Sequence, residues 1–501
     1  MYWLVARPIL SSPYWGDDHG DSQLPMQLQF NHQSFFNWWL DLTEQWTSTT
    51  GRFFPLNVLN GSAVYYLFQD RSSYKMYQFA IVALALVALA VLIGVIARSK
   101  WAAFVATGVA LMTLQMKPWF DPFWQFAGQQ SMVNILSCCA LVLAVIASRR
   151  HSRKALLTTA VAGACAFAGA ILTYESSILL VVAIPLLLFR EAAARRTKVT
   201  VFGVYFIPTI ALFVNLLYQR SKAVVTNPGY TVSLDPHAVF TTFKHQMVAA
   251  LPLSYRLHTA DSPLPPNAEW PLAPAVTFGV TAIFIAAMSV SVYQLVTHRT
   301  RRLDTAALAG LIYWAVPSLF VAISLRWQSE VRPGVGYIPV MAGGFAFAWL
   351  MTLGLARVSS IRLSGAFVLA PWSYRAKWLA AFAVAVASAT GLVCGLTASS
   401  NKEAVSEPFI VIDQVRRDAY VEAVRHGLYS GIDTNSYIGH RIGEWWNWEN
   451  AAFSSWYGAP RQLQFVRPED LRGEVCATTP CYYLIEENPR PGVITYHLQR
   501  Y

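Results

Sequence analysis

Residues 76–97 read MYQFAIVALALVALAVLIGVIA, a run without a charged residue that is followed directly by Arg98 and Lys100. A helix needs about 20 predominantly apolar residues to cross the hydrocarbon core of a bilayer. Loops on the cytoplasmic side of membrane proteins are enriched in Lys and Arg. This stretch therefore predicts a membrane-spanning helix that ends at the cytoplasmic surface.

The composition of the whole chain agrees with this interpretation. Of its 501 residues, 55% are apolar and 13% are charged, whereas a soluble domain has about 25% charged residues. So little charge cannot cover several soluble domains with polar surface, and so high an apolar content excludes intrinsic disorder. The net charge of +11 comes from short loops between apolar runs, so no nucleic-acid partner is predicted.

Ten apolar runs approach the length of a spanning helix. The run 176–189 is short and contains Pro185, so it is predicted to be tilted, broken or re-entrant. The ten runs are 76–97, 101–116, 131–148, 155–173, 176–189, 199–218, 272–297, 305–325, 337–356 and 376–398.

The charges in alternate loops between the apolar runs predict how the chain is oriented in the membrane. One set of connections holds seventeen basic residues but only two acidic ones, Glu191 and Asp304. By the positive-inside rule this set faces the cytoplasm, and both chain ends and all long loops face outward. The basic residues are Arg98, Lys100, Arg149, Arg150, Arg153, Lys154, Arg190, Arg195, Arg196, Lys198, Arg299, Arg301, Arg302, Arg357, Arg362, Arg375 and Lys377.

The predicted fold is an all-α multi-pass membrane protein of about 10–11 transmembrane helices with a small C-terminal extracytoplasmic α+β domain. Residues 1–75 form the first outer loop with interfacial helices, 76–398 the transmembrane domain and 399–501 the soluble domain. Residues 1–10 are too short to span, so we expect the sequence to begin inside a first spanning helix. Ten spans with an outer N-terminus are the alternative.

Within the first outer loop, aromatic and apolar residues recur at helical spacing, which predicts a helix lying in the headgroup region. They are Phe35, Trp38, Trp39, Leu42 and Trp46. In the tail, 482–485 and 493–497 alternate as strands do, and 405–426 has a helical pattern. Cys476 and Cys481 lie in the same outer domain, where they are either a disulfide or two free thiols.

An acidic motif, Tyr14-Trp15-Gly16-Asp17-Asp18-His19-Gly20-Asp21, lies where an apolar segment meets the first outer loop. Neighbouring carboxylates raise one another's pKa, which favours proton acceptance or cation binding. Asp17 or Asp18 is therefore a candidate catalytic base for an acceptor hydroxyl. A solvated acidic loop is the alternative.

Two further motifs carry charge at the predicted membrane boundary. In Gly51-Arg52-Phe53-Phe54-Pro55, Arg52 could bind phosphate oxygens, or it could pair with lipid headgroups or Asp70. Glu175 lies between two apolar helices, where a carboxylate is costly and usually functional. It could hold Arg52, assist Asp18 or contact an acceptor, and a short exposed turn is the alternative.

A fourth motif runs from Arg326 to Tyr337 on the predicted outer side: RWQSEVRPGVGY. Basic residues are disfavoured on that side, so Arg326 and Arg332 are not explained by topology. With glycines that allow close backbone approach, and with Tyr337, they form a candidate phosphate or diphosphate clamp. Pairing with Glu330 or with acidic loops is the alternative.

The layout resembles the GT-C superfamily of polyprenyl-phosphate-dependent membrane glycosyltransferases. The resemblance rests on the number of helices, the outer tail, the acidic motif with Asp17 and Asp18, and the segment Gly51-Arg52-Phe53-Phe54-Pro55 that follows it. It implies an integral protein of the cytoplasmic (inner) membrane. Its donor would be a polyprenyl-phosphate sugar and its acceptor a glycan, lipid or protein of the cell envelope.

On this interpretation the enzyme transfers a hexose or pentose, with Asp17 or Asp18 as base. Arg52, Arg326 and Arg332 would hold the departing phosphate, while Glu175 would orient the acceptor or an arginine. No cofactor or metal is required because the leaving group is already a phosphate, although the acidic loop could bind a divalent metal. The alternatives are a lipid-linked-sugar flippase or transporter and an O-antigen-type polymerase.

Overall fold

The structure is a computed structural model. It describes residues 1–12, 32–68, 71–115, 121–225, 228–257, 274–297 and 304–358, several single positions in 18–28 and 383–391, and four strands between 436 and 500. The described residues divide into two compact units. The first comprises 1–11, 39–61 and 72–405, and the second comprises 12–38, 62–71 and 406–501.

Helices make up nearly all of the first unit. Those of the first outer loop and the first two apolar runs are α1 (Tyr2–Ala6), α2 (Pro8–Ser11), α3 (Phe35–Thr50), α4 (Pro55–Leu67), α5 (Arg71–Ala97) and α6 (Lys100–Leu111). The middle of the chain forms α7 (Gln129–Ser148), α8 (Arg153–Thr173), α9 (Ala183–Phe189), α10 (Arg195–Lys222) and α11 (Pro236–Ala249). Next come α12 (Pro274–Thr297), α13 (Asp304–Ala322), α14 (Leu325–Glu330) and α15 (Val340–Val358).

Six of the described helices are long and apolar enough to cross a membrane, which confirms the predicted multi-pass helical fold. They cover Arg71–Ala97, Phe126–Ser148, Arg153–Thr173, Arg195–Lys222, Asp304–Ala322 and Val340–Arg357. Three shorter apolar helices, Lys100–Leu111, Glu175–Phe189 and Gly279–Leu295, correspond to three more of the ten predicted runs. Most of the tenth run, 376–398, lies outside the described residues.

The break predicted in the run 176–189 is confirmed. Residues Glu175–Val182 form a 3-10 helix, and the α-helix begins only at Ala183. Pro185 therefore falls in the first turn of α9, where its missing N–H is tolerated.

The core of the first unit lies between tightly packed helices. Helices α7 and α8 form an antiparallel pair, α15 packs against α13 and α6, and α15 also contacts α7. Alanine, valine and leucine dominate the buried cluster, which also contains the rings of Tyr205, Tyr313 and Trp349. The small residues allow close helix approach, which is how helices associate where water does not drive burial.

The predicted interfacial helix is α3. Trp38, Trp39, Leu42 and Trp46 are half-buried along one side, whereas Asp41 and Glu44 are exposed on the other. This distribution confirms the amphipathic pattern of the sequence.

The second unit contains a four-stranded sheet in the order β2-β1-β3-β4. The strands are β1 (Ser436–Gly439), β2 (Leu463–Val466), β3 (Cys481–Arg490) and β4 (Val493–Arg500). β1 pairs in parallel with β2 and β3, while β3 and β4 form an antiparallel pair. The strand predictions at 482–485 and 493–497 are confirmed, and the predicted helix at 405–426 lies outside the described residues.

Candidate functional site

The segment that carries Arg52 is held against the end of α10. Gly51 has a φ of +71°, and a Cβ on it would lie 3.1 Å from the Cα of Arg220. Glycine is needed here both for the left-handed backbone and for the close approach. The Val224 N–H donates a hydrogen bond of 2.9 Å to the Ser48 carbonyl. These contacts fix the turn from α3 into α4 and so the position of Arg52.

Arg52 forms an ion pair with Glu175. Its Nε donates to Glu175 Oε1 at 2.5 Å, and the two side chains are only 16% and 21% exposed. The guanidinium carbon lies 4.5 Å from the ring centre of Phe54 and 5.3 Å from that of Tyr174. Glu175 begins the 3-10 helix directly after α8, so one loop and one helix end supply the two charges. Of the three roles considered for Glu175, the contact with Arg52 is present in the structure.

The pair remains ionised despite its burial. Burial alone raises the pKa of Glu175, but the charge and hydrogen bond of Arg52 outweigh it, so the pKa lies below the ordinary value of 4.5. Burial likewise opposes the charge on Arg52, yet the Glu175 carboxylate raises the pKa of Arg52 further above its usual range. The site therefore keeps a fixed positive and a fixed negative charge at neutral pH.

One oxygen of this pair is left open. Glu175 Oε2 is buried and has no hydrogen-bond partner among the described residues. Buried polar atoms are normally paired, and an exception calls for a specific explanation such as a catalytic role or a bound water. This oxygen is therefore available to accept a hydrogen bond from a ligand hydroxyl.

Tyr337 reaches the ion pair through Tyr174, with which it shares a side-chain hydrogen bond. Its ring stacks on Trp327 with ring centres 3.6 Å apart. The side-chain amide of Gln246 on α11 accepts from the Tyr337 N–H at 2.7 Å and donates to its carbonyl at 3.0 Å. Burial raises the pKa of Tyr174 to about 12 and also raises that of Tyr337, so both phenols stay protonated.

Arg326 lies next to this stack on α14. Its Nε donates to Glu330 Oε1 at 2.9 Å, and its Nη1 donates to the Tyr230 hydroxyl at 3.2 Å. The guanidinium carbon is 4.7 Å from the Trp327 ring centre. A backbone bridge between Val232 and Ser324 brings Tyr230 to this position. The pairing with Glu330, one of the two alternatives for this motif, is confirmed, and the Arg326 side chain is still 34% exposed.

The remaining predicted site residues lie elsewhere. Arg332 is exposed in the loop that leads to Tyr337, and its carbonyl accepts from the Val335 N–H at 3.2 Å. Asp18 belongs to the second unit and is fully buried, which excludes a solvated position for this carboxylate. Asp17 lies outside the described residues. The structure thus connects Arg52, Glu175, Tyr337 and Arg326 in one network.

Several members of the network had no signal in the sequence. Tyr174, Trp327 and Tyr230 are ordinary aromatic residues of predicted outer segments, and Gln246 lies in a helix without a distinctive motif. Lys75, at the start of α5, also had no signal in the sequence. It is fully buried and donates to Gln78 Oε1 at 2.9 Å and to the Trp124 carbonyl at 3.2 Å. In the described part of the chain, no three His, Cys, Asp or Glu side chains meet as metal ligands.

The solved structures that resemble this one include two of a single protein. They are ArnT from Cupriavidus metallidurans in the apo state, with 13% identity and a TM-score of 0.40, and the same protein bound to undecaprenyl phosphate, with 14% identity and a TM-score of 0.41. Each comparison covers 97% of this chain and 91% of ArnT. No protein-family model and no curated protein matches the sequence.

Proposed function

We propose that this chain is a membrane glycosyltransferase that moves a hexose or pentose from a polyprenyl-phosphate donor to a hydroxyl group of a cell-envelope glycan, lipid or protein. The observation that carries the proposal is the ionised, mostly buried Arg52–Glu175 pair with its open carboxylate oxygen. A fixed cation beside a fixed anion suits a reaction in which negative charge grows on one group while another loses a proton.

The orientation of the site supports a lipid-linked donor. Arg98 and Arg149, at the ends of α5 and α7, meet at Glu191 beyond α9, and we call this end of the bundle the basic end. Because α8 runs back from there, Glu175 lies at the opposite end. With the basic end in the cytoplasm of an inner-membrane protein, the site faces outward, where nucleotide sugars are not available.

The proposed reaction forms one glycosidic bond and breaks another. The acceptor hydroxyl oxygen attacks the anomeric carbon, and the bond from that carbon to the phosphate oxygen breaks. The electron pair leaves with the polyprenyl phosphate, and the hydroxyl proton passes to a carboxylate, Asp18 or Asp17. The chemistry requires no cofactor or metal, since the phosphate is already a good leaving group.

The arginines would stabilise the charge on the departing phosphate. Arginine has five N–H donors. On Arg52, Glu175 and Tyr174 accept hydrogen bonds from part of these donors. Its other donors can bind phosphate oxygens. Arg326 and Arg332 are exposed enough to contact the same group. Glu175 Oε2 would accept a hydrogen bond from the acceptor and so orient it.

The test uses the full chain in detergent with a panel of polyprenyl-phosphate hexoses and pentoses and a membrane extract as the source of acceptor. Mass spectrometry follows loss of the sugar from the donor, and we expect loss with the native chain but not with Arg52→Ala.

Two outcomes would overturn the proposal. Movement of an intact labelled donor across vesicle membranes, without cleavage, would identify a flippase or transporter. Joining of whole lipid-linked glycan blocks, without transfer of single sugars, would identify a polymerase.

A further inference from the structure

A groove of about 670 Å³ lies between α5 and α6, away from the Arg52–Glu175 pair. One wall follows α5 from Ala83 to Arg98, and Lys100 to Thr107 contribute the wall from α6. At 1.5 Å of rise per residue, the α5 wall is about 22 Å long. One leaflet of the hydrocarbon core is about 15 Å thick, so the groove is long enough for a whole acyl chain.

The walls of the groove are shallow and apolar. Val87 and Val91 line it and are 56% and 48% exposed. Gly94 faces Ala103 of α6, and a Cβ on Gly94 would lie 3.2 Å from the Ala103 Cβ. These residues belong to a helix that crosses the membrane, so the groove opens toward lipid tails and not toward water.

One end of the groove is positively charged. Arg98 and Lys100 line this end, and both are exposed. Arg98 donates to Glu191 Oε2 at 2.8 Å, but Arg149 binds the same carboxylate through both of its oxygens at 2.9 Å. Two guanidinium groups therefore share one carboxylate, and Lys100 adds a further cation. The groove is apolar, and its end at the membrane surface carries an excess of positive charge. This combination complements an anionic lipid.

We propose that this groove binds one anionic phospholipid, with an acyl chain along α5 and its phosphate at Arg98 and Lys100. The proposal is independent of glycosyl transfer because the groove leads to the basic end and Arg52 lies at the opposite end. The ligand chemistry is a phosphate joined to an acyl chain, and free inorganic phosphate is the other source of the same anion.

The experiment measures lipid retention by the full chain in detergent. After delipidation, dioleoyl phosphatidylglycerol, dioleoyl phosphatidylcholine or inorganic phosphate is added, and native mass spectrometry and thermal unfolding follow binding. We expect phosphatidylglycerol to bind in one copy and to raise the melting temperature more than phosphatidylcholine, while inorganic phosphate has no effect.

Two variants test the apolar wall and the charged end of the groove, each against a matched control. Val91→Trp fills the groove and should abolish retention, whereas Leu84→Trp, at a lipid-exposed position of α5 outside the groove, should retain the lipid. Lys100→Gln should weaken phosphatidylglycerol binding about fivefold, the effect of one cation near a membrane surface. Lys154→Gln removes the same charge from the basic end outside the groove and should change little.

The proposal fails if Val91→Trp and Leu84→Trp retain lipid equally, or if the two lipids bind alike. Stabilisation by inorganic phosphate alone would show a free-anion site. A second copy of the chain or a partner helix crosslinked to Val91, with no lipid retained, would show that the groove is a helix-docking surface. Lys100→Gln leaves the apolar packing intact, so it keeps the test decisive if Val91→Trp does not fold.

Discussion

At the scale of single residues, the site depends on how Arg52 and Glu175 share their charges. Each group alone would pay a large desolvation penalty in this position, and each stabilises the other. The pairing leaves Glu175 Oε2 open. Oε1 is bound to Arg52 and fixes the side chain, while Oε2 can accept a hydrogen bond from a ligand. The pair is therefore suited to orient a hydroxyl group.

Glu175→Gln tests this role, because glutamine keeps the size of the side chain and can still accept from Arg52. We expect the rate of sugar transfer to fall about 100-fold or more, as for loss of a positioned acid–base or orienting group, with little change in the KM for the donor. Glu44→Gln, at an exposed position on α3, is the matched control. Equal activity of the two variants would rule out a role of Glu175 in the reaction.

The acid sensitivity of the same pair follows from its pKa shift. Arg52 holds the pKa of Glu175 below 4.5 in the folded chain. A depressed pKa contributes stability that is present above the unfolded value and is lost as the pH falls through the folded value. The difference in melting temperature between the native chain and Glu175→Gln should stay constant above about pH 5 and shrink only under more acidic conditions. A difference that vanishes near neutral pH would contradict this assignment.

Asp18 gives a second prediction at this scale. Asp18→Asn should abolish transfer while the protein stays folded and inserted, because asparagine cannot accept the acceptor's proton. Asp235→Asn is the control, since Asp235 caps α11 by accepting from His237 and Ala238 and asparagine caps equally well. Full activity of the double variant Asp17→Asn and Asp18→Asn would remove the acidic motif from the mechanism.

At the scale of elements, the loop before α15 positions the aromatic residues of the site. Gly336 has a φ of +69°, and a Cβ there would lie 2.7 Å from the Cβ of Ala249 on α11. The close approach allows Gln246 to bind both backbone groups of Tyr337. The loop, and with it Tyr337 and Tyr174, is therefore held by α11.

Gly336→Ala should destabilise the protein. The left-handed conformation alone costs about 1–2 kcal/mol for a residue with a Cβ, and the contact with Ala249 adds to it. Gly354→Ala is the control, because that glycine lies in α15 with no atom within 4 Å of an added Cβ. Thermal unfolding of the two variants in detergent checks the prediction, and equal melting temperatures would contradict it.

At the scale of the whole molecule, two acidic residues lie among the many basic residues at the basic end, and both have structural roles. Glu191 is only 4% exposed and joins Arg98 after α5 to Arg149 after α7. Asp304 pairs with Arg357, so the start of α13 is joined to the end of α15. The two acidic residues therefore hold helix ends together, and the excess of basic charge still predicts the orientation.

Glu191→Gln should lower the free energy of unfolding by about 1–3 kcal/mol, less than for a fully buried pair because Arg98 is 45% exposed. The control is Glu44→Gln, whose carboxylate is exposed on α3. Thermal unfolding in detergent measures both, and it should show a lower melting temperature for Glu191→Gln alone. Since Glu191 lies at the opposite end from Arg52, its loss should leave the KM for the donor unchanged.

The sequence by itself determined the membrane class, most of the apolar helices and the charge asymmetry. These properties depend on composition and on apolar runs within a single segment. Two such runs are 76–97 and 131–148. It also determined the interrupted helix at 176–189 and the strands at 482–485 and 493–497, because proline and residue alternation act locally. It singled out Arg52 between aromatic residues, Glu175 between two apolar helices, where a carboxylate is costly, and Arg326 on the side where basic residues are disfavoured.

Only the tertiary structure decided which of these charges meet. Arg52 and Glu175 are 123 positions apart, and nothing local distinguishes Glu175 from Asp70 as the partner of Arg52. The same holds for Gln246, which acts on Tyr337 across 91 positions, and for the groove between α5 and α6. Contacts between distant segments depend on how helices pack against one another, and hydropathy carries no information about that packing.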